Sequence, residues 1–155
     1  MFDLFKRRKG RGARRRATPS MFAEFLEYFG EAPVLEDGAA DPYDAFIDGL
    51  GGRSFGDGVF RVFERSDLEG WHRVVSGCFT KLRSEFNLIG YDWMGRCFAV
   101  DQRDGDGKEL VVLLEIATLD MYYIGKDVAV FLNEVMPNQS EACLGVGRYR
   151  EWLEG

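Results

Sequence analysis

Few side chains in this sequence have the types and spacing that catalysis or metal binding requires. His72 is the only histidine, and no Ser or Cys stands where the sequence would make it a partner, so a partly exposed helix position suits His72 better than a general-base role. The cysteines Cys78, Cys97 and Cys143 lie far apart, without a C-x-x-C pair. This spacing argues against a zinc site and a disulfide framework, and it suits a reducing compartment. We therefore expect no enzymatic activity, no metal and no cofactor.

Two segments only partly match ligand-binding loops. Asp104 and Asp106 resemble the start of a calcium loop, but the sixth position of that loop is Glu109 rather than Gly, and a strand follows instead of a helix. Residues 49–58 are rich in glycine, yet they lack the G-K-[ST] ending of a phosphate loop and carry Asp57. The first segment is better explained as a hairpin tip and the second as a tight turn.

Carboxylates at turns are the better candidates for a binding site. They occur in the glycine turn at Asp57, in the turn Asp92–Gly95, and in the hairpin Asp101–Asp106. Turns on a rigid sheet often carry recognition residues, and carboxylates there match the Arg and Lys side chains of a basic partner. The residues expected to bind a partner are Asp57, Asp92, Trp93, Asp101, Asp104 and Asp106. In the alternative interpretation, the aspartates only suit turn geometry and solubility, and Trp93 is a core aromatic rather than an interface anchor.

The charge is unevenly distributed along the chain. Residues 1–20 contain eight Lys and Arg against Asp3 alone, a net charge of +7, so the total of −6 leaves −13 on residues 21–155. A body this acidic repels nucleic acid and attracts basic partners. Residues 1–17 are predicted to be a disordered basic arm, with Met21 as an alternative start. No apolar signal region follows the arm, and no segment approaches the roughly 18 apolar residues of a membrane span, so a cytoplasmic protein is expected.

The elements that must position these residues can be predicted from periodicity and caps. Thr18 and Pro19 predict the start of a short helix, with Thr18 as its N-cap. Ser66 and Glu69 form a capping-box pattern that opens a second well-patterned helix. Further helices are expected at 42–50, from Asp127 to a stop at Pro137-Asn138, and at 147–154. Strands are expected at 59–63, 86–91, 96–101, 110–116 and 121–124. The sequence thus predicts one α+β domain over residues 18–155, with a mainly antiparallel sheet of about five strands and packed helices.

Two motifs add a family resemblance to this interpretation. Residues 54–62, SFGDGVFRV, resemble a segment of GAD-like domains. Residues 89–101, IGYDWMGRCFAVD, resemble the opening of the domain that is paired with it, and Phe131–Glu134, FLNE, fits a later part of that second domain. Together these segments are similar to bacterial type VI secretion immunity proteins that protect against DNase effectors. The resemblance divides the chain into a GAD-like part at 18–85 and a C-terminal part at 86–155, the latter shortened relative to the family.

The resemblance implies a cytoplasmic immunity protein that neutralises a secreted toxin, a basic nuclease, by direct binding. An acidic body is compatible with this role because a nuclease cleft is basic where it holds phosphates. Two alternatives stay open. One is an adaptor for nucleic acid or an anionic surface that acts through residues 6–16. The other is a hydrolase that uses Asp57 or Asp92.

Overall fold

An antiparallel sheet of six strands forms the centre of the protein. The computed structural model describes residues 18–19, 21–32, 35–36, 41–103 and 109–155. The strands are β1 (Thr18–Pro19), β2 (Leu35–Glu36), β3 (Ser54–Phe55), β4 (Phe60–Val62), β5 (Phe86–Asp92), β6 (Cys97–Asp101), β7 (Leu110–Glu115) and β8 (Asp120–Tyr123). Strands β3 to β8 lie side by side in chain order, and β1 and β2 pair separately with each other.

The predicted α+β class is confirmed, and the expected strand count of about five is corrected to six. The additional strand is β3, whose two residues pair with Phe60 and Arg61 of β4. A strand this short has no readable alternation, and it directly precedes the glycine turn, which is why the sequence pattern did not show it. Strand β4 also pairs with β5, so the sheet is continuous across the boundary at 85/86 that the resemblance suggested.

Helices cover both faces of the sheet. They are α1 (Ala23–Tyr28), α2 (Pro42–Leu50), α3 (Leu68–Cys78), α4 (Val128–Val130), α5 (Met136–Asn138), α6 (Ser140–Leu144) and α7 (Val146–Glu154). Short 3₁₀ turns at Gly56–Gly58, Arg65–Asp67 and Thr80–Leu82, and a π-helical segment at Phe131–Val135, complete the fold. Helix α3 packs on one face, whereas α1, α2 and the helices that follow β8 cover the other.

The pleat of the two buried strands explains this three-layer arrangement. Along β6, Phe98 and Val100 face the larger helical layer, while Cys97 and Ala99 face α3. Successive strand residues point to opposite faces, so a strand that is apolar at every position must be covered on both sides. The nearly continuous apolar run of β7, Leu110–Glu115, follows the same rule and is buried on both faces.

Gly90 allows two strands to approach each other at the centre of the sheet. A Cβ atom at this position would collide with the Arg61 carbonyl oxygen and with the ring of Phe60 on β4. The pairing of β5 with β6 also shifts register between Leu88 and Gly90, as at a β-bulge. The Gly-Tyr-Asp-Trp segment therefore begins at a position that only glycine can occupy without moving β4.

Several predicted helix ends are wrong. Thr18 and Pro19 lie in strand β1, and α1 begins at Ala23 without a side-chain cap. Ser66 lies in a 3₁₀ turn and does not cap α3, which begins at Leu68. By contrast, the helical run that Asp127 opens ends at Asn138, as predicted, with Pro137 in its last turn after the π-helical segment. Because proline has no N–H to bond the carbonyl four residues earlier, a wider turn before it accommodates the missing bond.

Two aspartates cap the N-termini of helices, and the sequence predicted the helix start at one of them, Asp127. The side chain of Asp127 accepts a hydrogen bond from the Val130 amide at 2.9 Å and opens α4. The side chain of Asp41 accepts from the Tyr43 amide at 2.9 Å at the start of α2. Both carboxylates satisfy backbone donors that have no partner within their own helix.

Candidate protein-binding surfaces

The turn after β5 is held by a buried ion pair. Asp92 is 2% exposed, and its Oδ2 atom lies 2.7 Å from the Arg96 guanidinium. Its Oδ1 atom accepts hydrogen bonds from the Met94 and Arg96 amides at 3.0 and 2.9 Å. Arg96 also donates to the Cys143 carbonyl at 3.0 Å. Burial raises the pKa of Asp92, while the Arg96 guanidinium and the backbone amides oppose that change.

This geometry corrects the expectation that Asp92 presents an exposed carboxylate. The spacing Asp92-x-Met94-x-Arg96 matches a turn in which the carboxylate bonds the backbone two and four residues ahead. The side chain therefore points into the protein and joins the turn to the helix that ends at Leu144. In the described fold, the Asp92 carboxylate therefore cannot be reached by a basic partner or by a substrate at the surface.

Trp93 lies half-buried between the sheet and the C-terminal helix α7. Its indole N–H donates to the Leu144 carbonyl at 2.8 Å, and its ring lies 5.3 Å from the ring of Tyr149 and 6.2 Å from that of Trp152. Together with Arg61, these three aromatic residues line a groove of about 450 Å³, which we call the aromatic surface. Trp, Tyr and Arg are the residue types enriched at the energetic centres of protein interfaces.

Asp57 is exposed, as predicted, and lies beside the aromatic surface. Its backbone adopts a left-handed conformation with φ of 59°, which is unusual for a residue other than glycine. The Tyr149 hydroxyl donates to the Asp57 carbonyl, so α7 holds the turn in this conformation. Among the described residues, no side chain or amide bonds the Asp57 carboxylate. The two sequence motifs at 54–62 and 89–101 thus meet at α7.

Asp101 lies at the opposite end of β6 and is paired. Arg103 contacts its carboxylate at 2.7 Å through Nη2 and at 2.9 Å through Nε. The Arg103 guanidinium also donates to the Lys81 carbonyl and to the Tyr123 hydroxyl. The hydrogen bonds and charge of Arg103 hold the pKa of Asp101 below its usual value. Asp101 therefore positions Arg103 rather than presenting a free carboxylate, while Asp104 and Asp106 lie outside the described residues.

The structure does not bring the six predicted binding residues into one cluster. Asp57, in the turn between β3 and β4, lies at the same end of the sheet as Asp92 and Trp93, whereas Asp101 lies at the other end of β6. Antiparallel strands joined by a short turn place consecutive connections at opposite ends of the sheet. Glu109, the described residue that precedes β7, is therefore at the far end from the aromatic surface.

A groove that the sequence interpretation missed lies at this far end. It has a volume of about 580 Å³ between α2, α3 and the sheet. Its lining carries four carboxylates, from Asp41, Asp44, Glu69 and Glu109. We call this the acidic groove. Glu109 brings the groove next to the hairpin segment that was predicted to bind a partner.

One cation moderates the charge of the acidic groove. Arg65 donates to Asp44 at 2.8 Å and to Asp48 at 2.5 Å, and these bonds raise its pKa further above the ordinary value of a guanidinium. Tyr43, which lines the groove, donates to the Leu88 carbonyl at 2.9 Å, and burial raises its pKa to about 12. The uncharged phenol therefore forms a neutral wall of the groove, and negative charge predominates along the rim.

His72 also lines the acidic groove and contacts an aromatic ring and a residue of its own helix. Its ring stacks on Phe86 at 4.3 Å between centroids, and its Nδ1 atom lies 3.5 Å from the Ser76 hydroxyl one helical turn away. Within the described ranges, no three His, Cys, Asp or Glu side chains lie close enough together to hold a metal ion. No helix in the described part of the chain is long and apolar enough to cross a membrane.

The acidic groove escaped sequence analysis because its carboxylates come from three distant segments. Asp41 and Asp44 lie at the start of α2, and Glu69 lies in α3. Glu109 is the residue directly before β7. The available signal was weak. It consisted of two acids at one helix start and one at the start of the next, which a solvated surface would also explain.

Comparisons of the chain with protein-family models, with curated proteins and with solved structures found no match. Function must therefore be argued from the two surfaces described above.

Proposed function

We propose that this protein is a cytoplasmic immunity protein that neutralises a secreted toxin with a basic nuclease cleft by binding it directly. The observation that carries the proposal is the acidic groove, which collects carboxylates from three segments on a rigid framework. Asp104 and Asp106 remain part of the proposed binding surface because they precede Glu109 closely in sequence. The family resemblance of the motifs at 54–62 and 89–101 supports the same role.

The charge of the groove suits a competitor of nucleic acid. A nuclease cleft presents Arg and Lys side chains to phosphates, and carboxylates on a preformed surface can bind those side chains instead. The −13 charge on residues 21–155 adds a long-range field that accelerates encounter with a basic protein. Because an inhibitor of this kind only occupies the cleft, it needs no catalytic group of its own.

The acidic groove can be tested with a charge series against a candidate nuclease toxin, sought among the products of the genes that adjoin the gene for this protein. The groove variant combines Asp41→Asn, Glu69→Gln and Glu109→Gln, which remove three charges and keep an acceptor at the α2 cap. The matched control combines Glu24→Gln, Glu27→Gln and Glu134→Gln, three exposed acids that do not line the groove. Both variants have the same net charge, so long-range attraction falls equally in the two.

We expect the groove variant to associate with the toxin about tenfold more slowly at low salt and to lose more of its salt dependence than the control, which changes by less than about threefold. Equal effects of the two variants would show that the groove is not the binding surface. Failure of the wild-type protein to bind or inhibit the toxin would refute the proposed function itself. Deleting residues 1–20 distinguishes the proposed function from the adaptor alternative. Toxin inhibition by residues 21–155 does not require the basic arm, whereas binding of nucleic acid or an anionic surface through residues 6–16 does.

A further inference from the structure

Helix α7 presents an apolar and charged outer surface for which the described chain provides no cover. Its inner side is anchored by Tyr149, which is 6% exposed, but Trp152 and Leu153 are 66% and 51% exposed. The ring of Trp152 only flanks Tyr149 and Trp93, with centroid distances of 5.9 and 6.2 Å. A large aromatic residue left this open beside other aromatics is typical of an interaction surface rather than of a solvated helix.

The charges of α7 are ordered along its axis. Arg148 and Arg150 lie in the first half of the helix, and Glu151 and Glu154 lie in the second half. All four side chains are exposed, and none forms an ion pair with a residue in the described part of the chain. Within one helix, an ion pair is weaker when the basic residue precedes the acidic one, as it does here. These charges are therefore available to another molecule.

We infer that the outer surface of α7 binds a second copy of this chain, with the two α7 helices antiparallel about a twofold axis. An axis level with Tyr149 and Arg150 places Arg148 of each copy opposite Glu151 of the other. The contact is self-complementary, as a twofold interface requires, because antiparallel pairing opposes Arg148 of each helix to Glu151 of its mate at two equivalent positions.

The helix geometry puts the residues of this contact on one side. Successive residues are about 100° apart around an α-helix, so Arg148, Glu151 and Trp152 fall within a sector of about 100° that does not include buried Tyr149. Trp152 supplies apolar area at the edge of that sector, next to Trp93. A helix of nine residues is only about 13 Å long, which makes the interface small and the dimer weak and concentration-dependent.

This inference does not depend on the proposed toxin, because it can be tested with the purified protein alone. Sedimentation velocity over about a hundredfold range of concentration measures the dimer fraction of the wild type, Arg148→Glu, Glu151→Arg, an equimolar mixture of these two variants, and Arg148→Glu/Glu151→Arg. The control is Arg73→Glu on α3, where Arg73 and Glu69 are an exposed pair that is 80% and 90% accessible. Circular dichroism of each variant checks the fold.

We expect each single reversal to raise the dimer dissociation constant at least about tenfold, because both symmetric contacts become repulsive. The mixture and the double reversal should return to within about threefold of the wild type, because every contact again joins opposite charges. Arg73→Glu should leave dimerisation unchanged. A wild type that stays monomeric throughout, or single variants that dimerise like the wild type or do not recover on mixing, would overturn the inference.

Discussion

Replacing Asp92 by Asn tests whether this carboxylate is structural or belongs to a binding surface. The amide keeps one oxygen that can accept from the Met94 and Arg96 backbone, as Oδ1 of Asp92 does at 3.0 and 2.9 Å. It loses the negative charge 2.7 Å from the Arg96 guanidinium. The change therefore removes one interaction, the buried ion pair, and preserves the turn geometry.

The size of the effect follows from burial. Removing one partner of a buried ion pair costs about 3–5 kcal/mol, because the other charge remains buried without compensation. The Arg96 side chain is 13% exposed, still donates to the Cys143 carbonyl, and lies 4.0 Å from Glu115, so we expect the lower end, about 3 kcal/mol. For a chain of this length, that corresponds to a decrease in Tm of about 6–12 °C.

Chemical denaturation of Asp92→Asn, Arg96→Met and the double variant provides the assay. A double-mutant cycle should give a coupling free energy of about 1–3 kcal/mol between the two side chains. Without the Arg96 guanidinium, only the backbone amides oppose the effect of burial, so the pKa of Asp92 rises further and the protonated form becomes more favourable in the folded state. The stability of Arg96→Met should therefore decrease as the pH rises from about 4 to 7, more than in the wild type.

A stability loss below about 0.5 kcal/mol for Asp92→Asn would refute this reasoning, because that is the scale of changes at exposed sites. If toxin binding weakened at the same time while stability stayed constant, Asp92 would have to be exposed to the partner. The control is Asp57→Asn, which removes an exposed carboxylate at the same end of the sheet and should leave stability nearly unchanged.

Three further perturbations test other parts of the structure. Trp93→Ala should lower the free energy of unfolding by about 2–4 kcal/mol in denaturant titrations, because a half-buried indole and its hydrogen bond are lost; an unchanged midpoint would contradict this packing. Asp101→Asn should cost about 1–2 kcal/mol at neutral pH. Because Arg103 lowers the pKa of Asp101, the difference from the wild type should shrink as the pH falls below about 4, and a pH-independent difference would rule out the ion pair. A thiol reagent should label Cys78 before Cys97, since Cys97 is buried and its pKa is raised to about 12; equal labelling rates, measured by mass spectrometry, would show that the sheet is more open than described.

Periodicity predicted the parts of the fold whose side chains alternate or recur over many residues. The strands at 86–91, 96–101 and 110–116 and the helices at 42–50 and 147–154 are present with small shifts of their ends. The failures concern short elements and caps. The motif at Ser66 fits a capping box by residue type, but the chain enters α3 through a 3₁₀ turn, so the serine does not reach the helix amides.

The candidate sites show the same division. Sequence analysis correctly placed Asp57 at an exposed turn, because the glycines on both sides adopt positive φ and close a tight turn there. It assigned an exposed carboxylate to Asp92, since nothing in the residue type distinguishes a turn aspartate that faces solvent from one that binds Arg96 inside. It also missed the acidic groove, whose carboxylates meet only after α2, α3 and the hairpin have packed together.

The sequence by itself therefore determined the α+β class, the main strands and helices, and the acidity of the body, because local periodicity and composition depend on neighbours within a few residues. The tertiary structure decided which carboxylates are free, which are buried against arginine, and which collect into the acidic groove. Those outcomes depend on desolvation and on residues far apart in sequence. Asp41 and Glu109, 68 positions apart, line one groove, and Trp93 and Leu144, 51 positions apart, share a hydrogen bond. Only the folded chain sets the distances at which such charges and dipoles act.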